Sequence, residues 1–155
     1  MTSQENVRFT GGCQCGAVRY ALLTEPDEVS VCHCRMCQKA SGGPIMAFAR
    51  VKRPALRWTR GEPASFRSSS LVERHFCGTC GTPLTYNFVE SPNISITVGS
   101  LDDPGARRPV LQYSVERTLS WFPTIAELPG KRIEEFITPD LASRFVSYQH
   151  PDHDT

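Results

Sequence analysis

Phe76-Cys77-Gly78-Thr79-Cys80-Gly81-Thr82-Pro83 is the stretch on which the fold turns. Two cysteines separated by two residues, with Gly78 between them and Gly81 and Pro83 directly after, encode a tight turn. The sulfurs of such a turn converge, and its backbone N–H groups are free to approach them. A tetrahedral zinc site asks for thiolates about 2.3 Å from the ion, and one knuckle of this kind delivers two of them. The other half must come from elsewhere in the chain. Outward from this turn, Gly11-Gly12-Cys13-Gln14-Cys15-Gly16 offers a second pair in a Gly-rich setting, and Cys32-His33-Cys34-Arg35-Met36-Cys37 offers three more cysteines in one short run.

Seven cysteines in three groups need a common explanation. Free cysteines serving as small core hydrophobes have no reason to sit in C-x-C and C-x-x-C pairs. Disulfides are disfavoured by the odd count, by the poor geometry of bridging near neighbours, and by the polar segment Met1–Thr10, which lacks the features of a secretory signal. A redox C-x-x-C opens a helix in a βαβ context that this strand-rich chain lacks. Metal binding accounts for the whole pattern. Seven ligands divide into a closed set of four, the structural kind of site, and an open set of three, which keeps a position for chemistry. Cys32, Cys34 and Cys37 can surround one ion from a single segment and make the open site. Cys13 and Cys15 then join Cys77 and Cys80, a long clamp stapling the N-terminal hairpin to the middle of the domain.

The remainder of the chain reads as mainly β. Ala17–Leu22, Val29–His33, Ile45–Val51, Leu56–Thr59, Ser65–Ser68, Val72–Phe76, Leu84–Phe88, Ile94–Val98 and Val110–Val115 are short and rich in β-branched and aromatic residues. They are bounded by Gly, Pro, Asp or Asn. Alternation in Ile94, Ile96 and Val98 against Ser95 and Thr97 predicts a half-buried strand. One short helix is predicted near the C-terminus, capped by Thr138, opened by Pro139 and Asp140, with Leu141, Phe145 and Tyr148 as its apolar stripe. The 155 residues, 39% of them hydrophobic, suit one packed core. No repeat or linker divides them, so residues 1–149 are expected to form a single domain and residues 150–155 a disordered tail. Seventeen basic against sixteen acidic residues leave a net charge of +1, which disfavours nucleic-acid binding. No apolar run approaches the roughly 20 residues of a membrane span, and a cytoplasmic location is the expectation.

At the cysteine motifs the chain resembles the family of glutathione-dependent formaldehyde-activating enzymes, which includes centromere protein V. Gly12-Cys13-Gln14-Cys15-Gly16-Ala17-Val18-Arg19-Tyr20 is similar to that family's opening motif. Cys32-His33-Cys34-Arg35-Met36-Cys37 with Gly42 is similar to its second, and Phe76-Cys77-Gly78-Thr79-Cys80-Gly81-Thr82-Pro83-Leu84 to its third. With Val98-Gly99-Ser100-Leu101-Asp102-Asp103-Pro104, the likeness spans about residues 8–130. It implies several small antiparallel β-sheets packed around zinc sites in a tent-like fold, two zinc ions with the same four-plus-three division, and condensation of glutathione with formaldehyde. Gln112-Tyr113 departs from the family's usual His-Ile, so the cleft lining is expected to differ.

Zinc with three thiolates is formally −1, a poor generator of hydroxide that favours sulfur in its vacant position. The chemistry to expect is that of a carbon–sulfur lyase: a small thiol such as glutathione is ionised and adds to, or leaves, a carbonyl carbon. No residue is compelled as donor to the developing alkoxide. His33 points away from its cysteine neighbours if its strand is extended, which favours a supporting role. His75 is ambiguous. Arg35 and Lys39 flank the open site and can meet a substrate carboxylate or remain solvated. Trp121 and Phe122 can wall a cleft or belong to the core. The alternative class is a protein-binding module with two structural metals; a fourth protein ligand at the second site would mark it.

Overall fold

The computed structural model describes residues 6–155, and these form a mainly β protein of ten strands in two sheets. The smaller sheet is β1 (Phe9–Gly12), β2 (Arg19–Leu22) and β5 (Leu56–Arg60), antiparallel and in that order. The larger has seven strands in the order β10 (Leu111–Tyr113), β3 (Glu28–Cys32), β4 (Met46–Lys52), β9 (Asn93–Thr97), β8 (Pro83–Phe88), β7 (Val72–Phe76) and β6 (Ala64–Ser69). Its pairings are antiparallel except the last to arrive, β10, which lies parallel to β3 with Tyr113 opposite Cys32.

One hydrophobic cluster joins the sheets: Tyr20 and Leu22 of β2, Val29 of β3, Ala49 and Val51 of β4, and Ile94 and Ile96 of β9. Each fully buried aliphatic side chain of this kind contributes about 1.5–3 kcal/mol. The period of two then decides what the other face of the large sheet carries. Along β4, Ala49 and Val51 enter the core while Met46 and Phe48 form a second cluster with Cys37. Along β9, Ile94 and Ile96 are buried as the alternation predicts; Thr97, on the opposite face, is buried too, its hydroxyl donating to the Pro83 carbonyl at 2.6 Å. The large sheet thus has a core face and a second face, and the second face holds the open site.

Two elements were not legible as such. β1 reads Phe-Thr-Gly-Gly, and glycine is depleted from strands. A helix, α1 (Arg35–Ser41), occupies the third cysteine motif. The predicted C-terminal helix exists as α2 (Pro139–Arg144), with the Thr138 hydroxyl accepting from Leu141 N–H. Its apolar stripe does not form: the chain turns extended at Phe145, and Leu141, Phe145 and Tyr148 are all exposed. Residues 150–155, expected to be loose, lie against the small sheet, where Arg19 donates to the His153 carbonyl and Arg60 to that of Thr155. No helix among the described residues is long and apolar enough to cross a membrane.

Candidate metal centres

The turns that carry Cys13, Cys15, Cys77 and Cys80 are held by their own backbone. After β1, Cys13 N–H donates to the Val18 carbonyl at 2.9 Å and Gly16 N–H to that of Cys13 at 3.0 Å; Gly16 has φ +76°, where a side chain is strained. Between β7 and β8, Cys77 N–H donates to Thr82 and Gly81 N–H returns to Cys77, both at 2.9 Å. Thr82 ties the knuckles together, its hydroxyl accepting from Gln14 N–H at 3.0 Å. The sulfurs of Cys13, Cys15, Cys77 and Cys80 all lie within 4.8 Å of one another, with Cys13 to Cys15 at 3.6 Å and Cys15 to Cys77 at 3.8 Å. Thiolates about 2.3 Å from a tetrahedral ion stand about 3.8 Å apart, so this spacing fits a metal and is far too wide for the roughly 2.05 Å of a disulfide.

Donors surround these sulfurs. Val18 N–H reaches Cys13 Sγ at 3.2 Å, and Thr79 N–H reaches Cys77 Sγ at 3.4 Å. Burial raises the Cys80 thiol, yet the Thr82 side chain and backbone more than offset this and hold it near 6. Beside this quartet Arg19 grips Asp102 with two hydrogen bonds, 2.8 and 2.6 Å, and Thr10 donates to the same carboxylate. Burial opposes ionisation of Asp102, but Arg19 and Thr10 prevail and hold its carboxyl below the usual range.

The other three cysteines come from the end of β3 and the start of α1. Cys34 is the residue before the helix, and its sulfur accepts from Cys37 N–H at 3.4 Å in the place a serine or aspartate oxygen usually takes. One turn of helix then brings Cys37 back beside it. Cys32, Cys34 and Cys37 also lie within 4.8 Å of one another, and among the described residues no further His, Cys, Asp or Glu joins them. Burial raises the Cys34 thiol, but hydrogen bonds from Cys37 outweigh it and hold Cys34 below its ordinary value; burial pushes Cys37 up to about 12 against the pull of Arg74.

This triad opens into a cavity of about 420 Å³ on the second face of the large sheet. Six neighbouring strands contribute to its wall, among them β3 with Ser30, β4 with Phe48, β9 with Ser95, β8 with Tyr86 and β7 with Arg74. Tyr113 closes the side nearest β10.

The remaining candidates fall elsewhere. His33 is fully buried behind the triad, its Nε2 2.9 Å from Gln112 Oε1 and its ring 5.3 Å from that of Phe122. Gln112, expected to alter the cleft, therefore holds His33, and Tyr113 is the residue of that pair that lines the cavity. His75 bonds Thr85 at 2.6 Å; burial lowers its pKa, keeping it neutral. Arg35, Lys39, Trp121 and Phe122 do not line the cavity. Arg74, Tyr86 and Phe48 went unrecognised, because in sequence they are ordinary members of alternating strands, and only strand order brings them to the cysteines.

Known proteins carry related features. A crystal structure of a Rhodobacter sphaeroides protein superposes with a TM-score of 0.53 at 22% identity, over 68% of this chain and 99% of that one, a likeness of fold. An uncharacterized lyase of Schizosaccharomyces pombe is 32% identical over 85 residues, 55% of this chain and 61% of that protein's length. Residues 8–117, which hold all seven cysteines and both sheets, match the model of the glutathione-dependent formaldehyde-activating enzymes, and the chain belongs to that family.

Proposed function

We propose that the protein is a zinc-dependent lyase of the carbon–sulfur type, acting on a small thiol of the glutathione kind and a small carbonyl compound such as formaldehyde. The observation that carries this reading is the contrast in ligand number: four sulfurs converge at one site and three at the other, and the three face a cavity. The fission-yeast relative, named a lyase, supports the reaction class. A protein-binding module would instead use a fourth side chain to close the second site.

Zinc bound by Cys32, Cys34 and Cys37 would supply a soft seat that keeps a thiol ionised at neutral pH. The chain does the rest. Phe48 and Tyr86, rings 5.6 Å apart, cover the cysteines with apolar surface and keep bulk water from competing with a sulfur ligand. Burial raises the Tyr86 phenol, which stays protonated as a donor. At the rim, Arg50 pairs with Asp27 at 2.8 Å and Glu28 at 3.5 Å, while Tyr113 donates to Glu28, so the one cation of this group is already engaged by two carboxylates.

Calorimetric titration of the zinc-loaded protein with glutathione and with its S-methyl derivative tests the reading. The thiol is expected to bind and the thioether, which has no proton to lose, to bind far more weakly. Affinity for the thiol should rise from pH 6 to pH 8, below a free thiol pKa of about 8.5. Equal, pH-independent affinities would remove the sulfur step and leave the binding module as the better account.

A further inference from the structure

Arg74 is an arginine in an unusual position. It is 7% exposed, and among the described residues no carboxylate pairs with its guanidinium. Its Nη2 lies 3.4 Å from Cys37 Sγ, its Nη1 3.7 Å from the Met46 thioether, and its Nε 3.3 Å from the Ser68 hydroxyl. The guanidinium carbon stands 5.1 Å from the centre of the Tyr86 ring. A guanidinium has five N–H donors, and these contacts leave two without an acceptor in a group that lines the cavity. A buried cation with idle donors is costly unless something negative completes it. The Cys37 sulfur completes one side. The guanidinium also lines the cavity beside the triad.

The other charged groups near the cavity do not compete for this task. Arg50 is engaged by Asp27 and Glu28, and Glu28 also accepts from Tyr113. Arg35 and Lys39, the cations nearest the triad in sequence, stand outside the cavity wall.

Resting on the thiol reading above, we propose that Arg74 is the donor that holds the carbonyl oxygen of the second substrate and takes up its negative charge as the carbon–sulfur bond forms. The ionised thiol sulfur gives an electron pair to the carbonyl carbon, the π pair of C=O moves onto oxygen, and the oxyanion receives two N–H bonds from the guanidinium. Arg74 keeps its proton throughout. The alkoxide takes one from water, equal to the proton the thiol released, so thiol plus aldehyde gives the hemithioacetal with no other reactant. In the reverse direction the same contact polarises the hydroxyl before the C–S bond breaks. The ligand class this site selects is a thiol with an anionic or strongly accepting oxygen close to its sulfur.

Thioglycolate and ethanethiol serve as probes: both have a thiol on a two-carbon skeleton, and only the first carries an oxyanion near sulfur. Each is titrated into the zinc-loaded wild-type protein, Arg74→Gln and Arg74→Lys by calorimetry, with circular dichroism to establish folding. The wild type should bind thioglycolate at least about tenfold more tightly than ethanethiol, the factor expected of one charge-assisted hydrogen bond. Arg74→Gln should abolish that preference while leaving ethanethiol affinity within about threefold. Should the glutamine variant not fold, Arg74→Lys decides, since a point charge without the fork should retain only part of the preference. No preference in the wild type, or a preference that survives both substitutions, overturns the assignment. So does an equal loss for both probes, which would mean that Arg74 acts only through the Cys37 sulfur. Failure of both thiols to bind the wild type overturns the thiol reading itself, along with this one.

Discussion

The cysteine quartet and the cysteine triad are built from the same ligand atom and differ in what the chain does between ligands. Cys15 and Cys77 are 62 residues apart in sequence and their sulfurs 3.8 Å apart in space, so the quartet joins the small sheet to the far end of the large one. The triad spans residues 32–37, within one strand end and one turn of helix, and its surroundings supply a cavity in place of a fourth sulfur. Identical thiols are thus gathered across a long loop at one site and within a single turn beside a cavity at the other.

The sharpest way to break this comparison is to delete one sulfur from each. Cys80→Ala is expected to abolish soluble folded protein, since structural zinc contributes roughly 10–16 kcal/mol in small sites, as much as the entire stability of many domains. Cys34→Ala should fold, with a reduced melting temperature and no thiol binding. Dichroism, thermal melts and elemental analysis of both variants decide; the opposite ranking would show that the two sites have been exchanged.

A smaller effect probes the quartet's neighbourhood without touching a ligand. Asp102→Asn removes the buried, two-bond counter-ion of Arg19 and leaves only the exposed Asp154 carboxylate at 3.5 Å, and the expected loss is about 3 kcal/mol at neutral pH. Because the folded carboxyl is held below its ordinary value, the ion pair's contribution is complete above the unfolded pKa, about 3.9, and fades as pH falls through the folded one. The gap between wild type and variant in chemical denaturation should therefore close in acid. A gap that stays constant would show that the pair's charge is irrelevant.

The smallest effect separates the two faces of β3. Gln112→Leu removes the partner of the buried His33 Nε2 and should cost about 1–2 kcal/mol, with glutathione affinity unchanged because His33 stands behind the triad. A change in affinity comparable to that of a cavity residue would mean that the back of the strand communicates with the front.

The division of cysteines into four and three was legible from ligand counting: C-x-C and C-x-x-C are short-range signals, and once Cys32, Cys34 and Cys37 suffice for one ion the other four fall together. Nine strands were legible from β-branched runs, which are short-range signals too. What escaped was non-local or chemically atypical. Glycines disguised β1; α1 was hidden because its capping atom is the Cys34 sulfur, outside the usual set of caps. Arg74 sits between Glu73 and His75 and reads as one more polar residue of a strand. Its role depends on β7 lying three places from β4 in the sheet, which no local pattern encodes. Gln112 departs from the family pattern yet holds His33 and does not line the cleft, because of the parallel register of β10 on β3, which neither strand encodes alone.

The distance along the chain between the quartet's halves also has a meaning in time. Protein synthesis runs at roughly 5–20 residues per second, so the 62 residues from Cys15 to Cys77 correspond to about 3–12 s. During that interval the first pair and then the triad have been synthesised, and neither Cys77 nor Cys80 exists. The nearest thiols to Cys13 and Cys15 on the nascent chain are those of the triad, so native assembly requires that the early pair wait for partners made last.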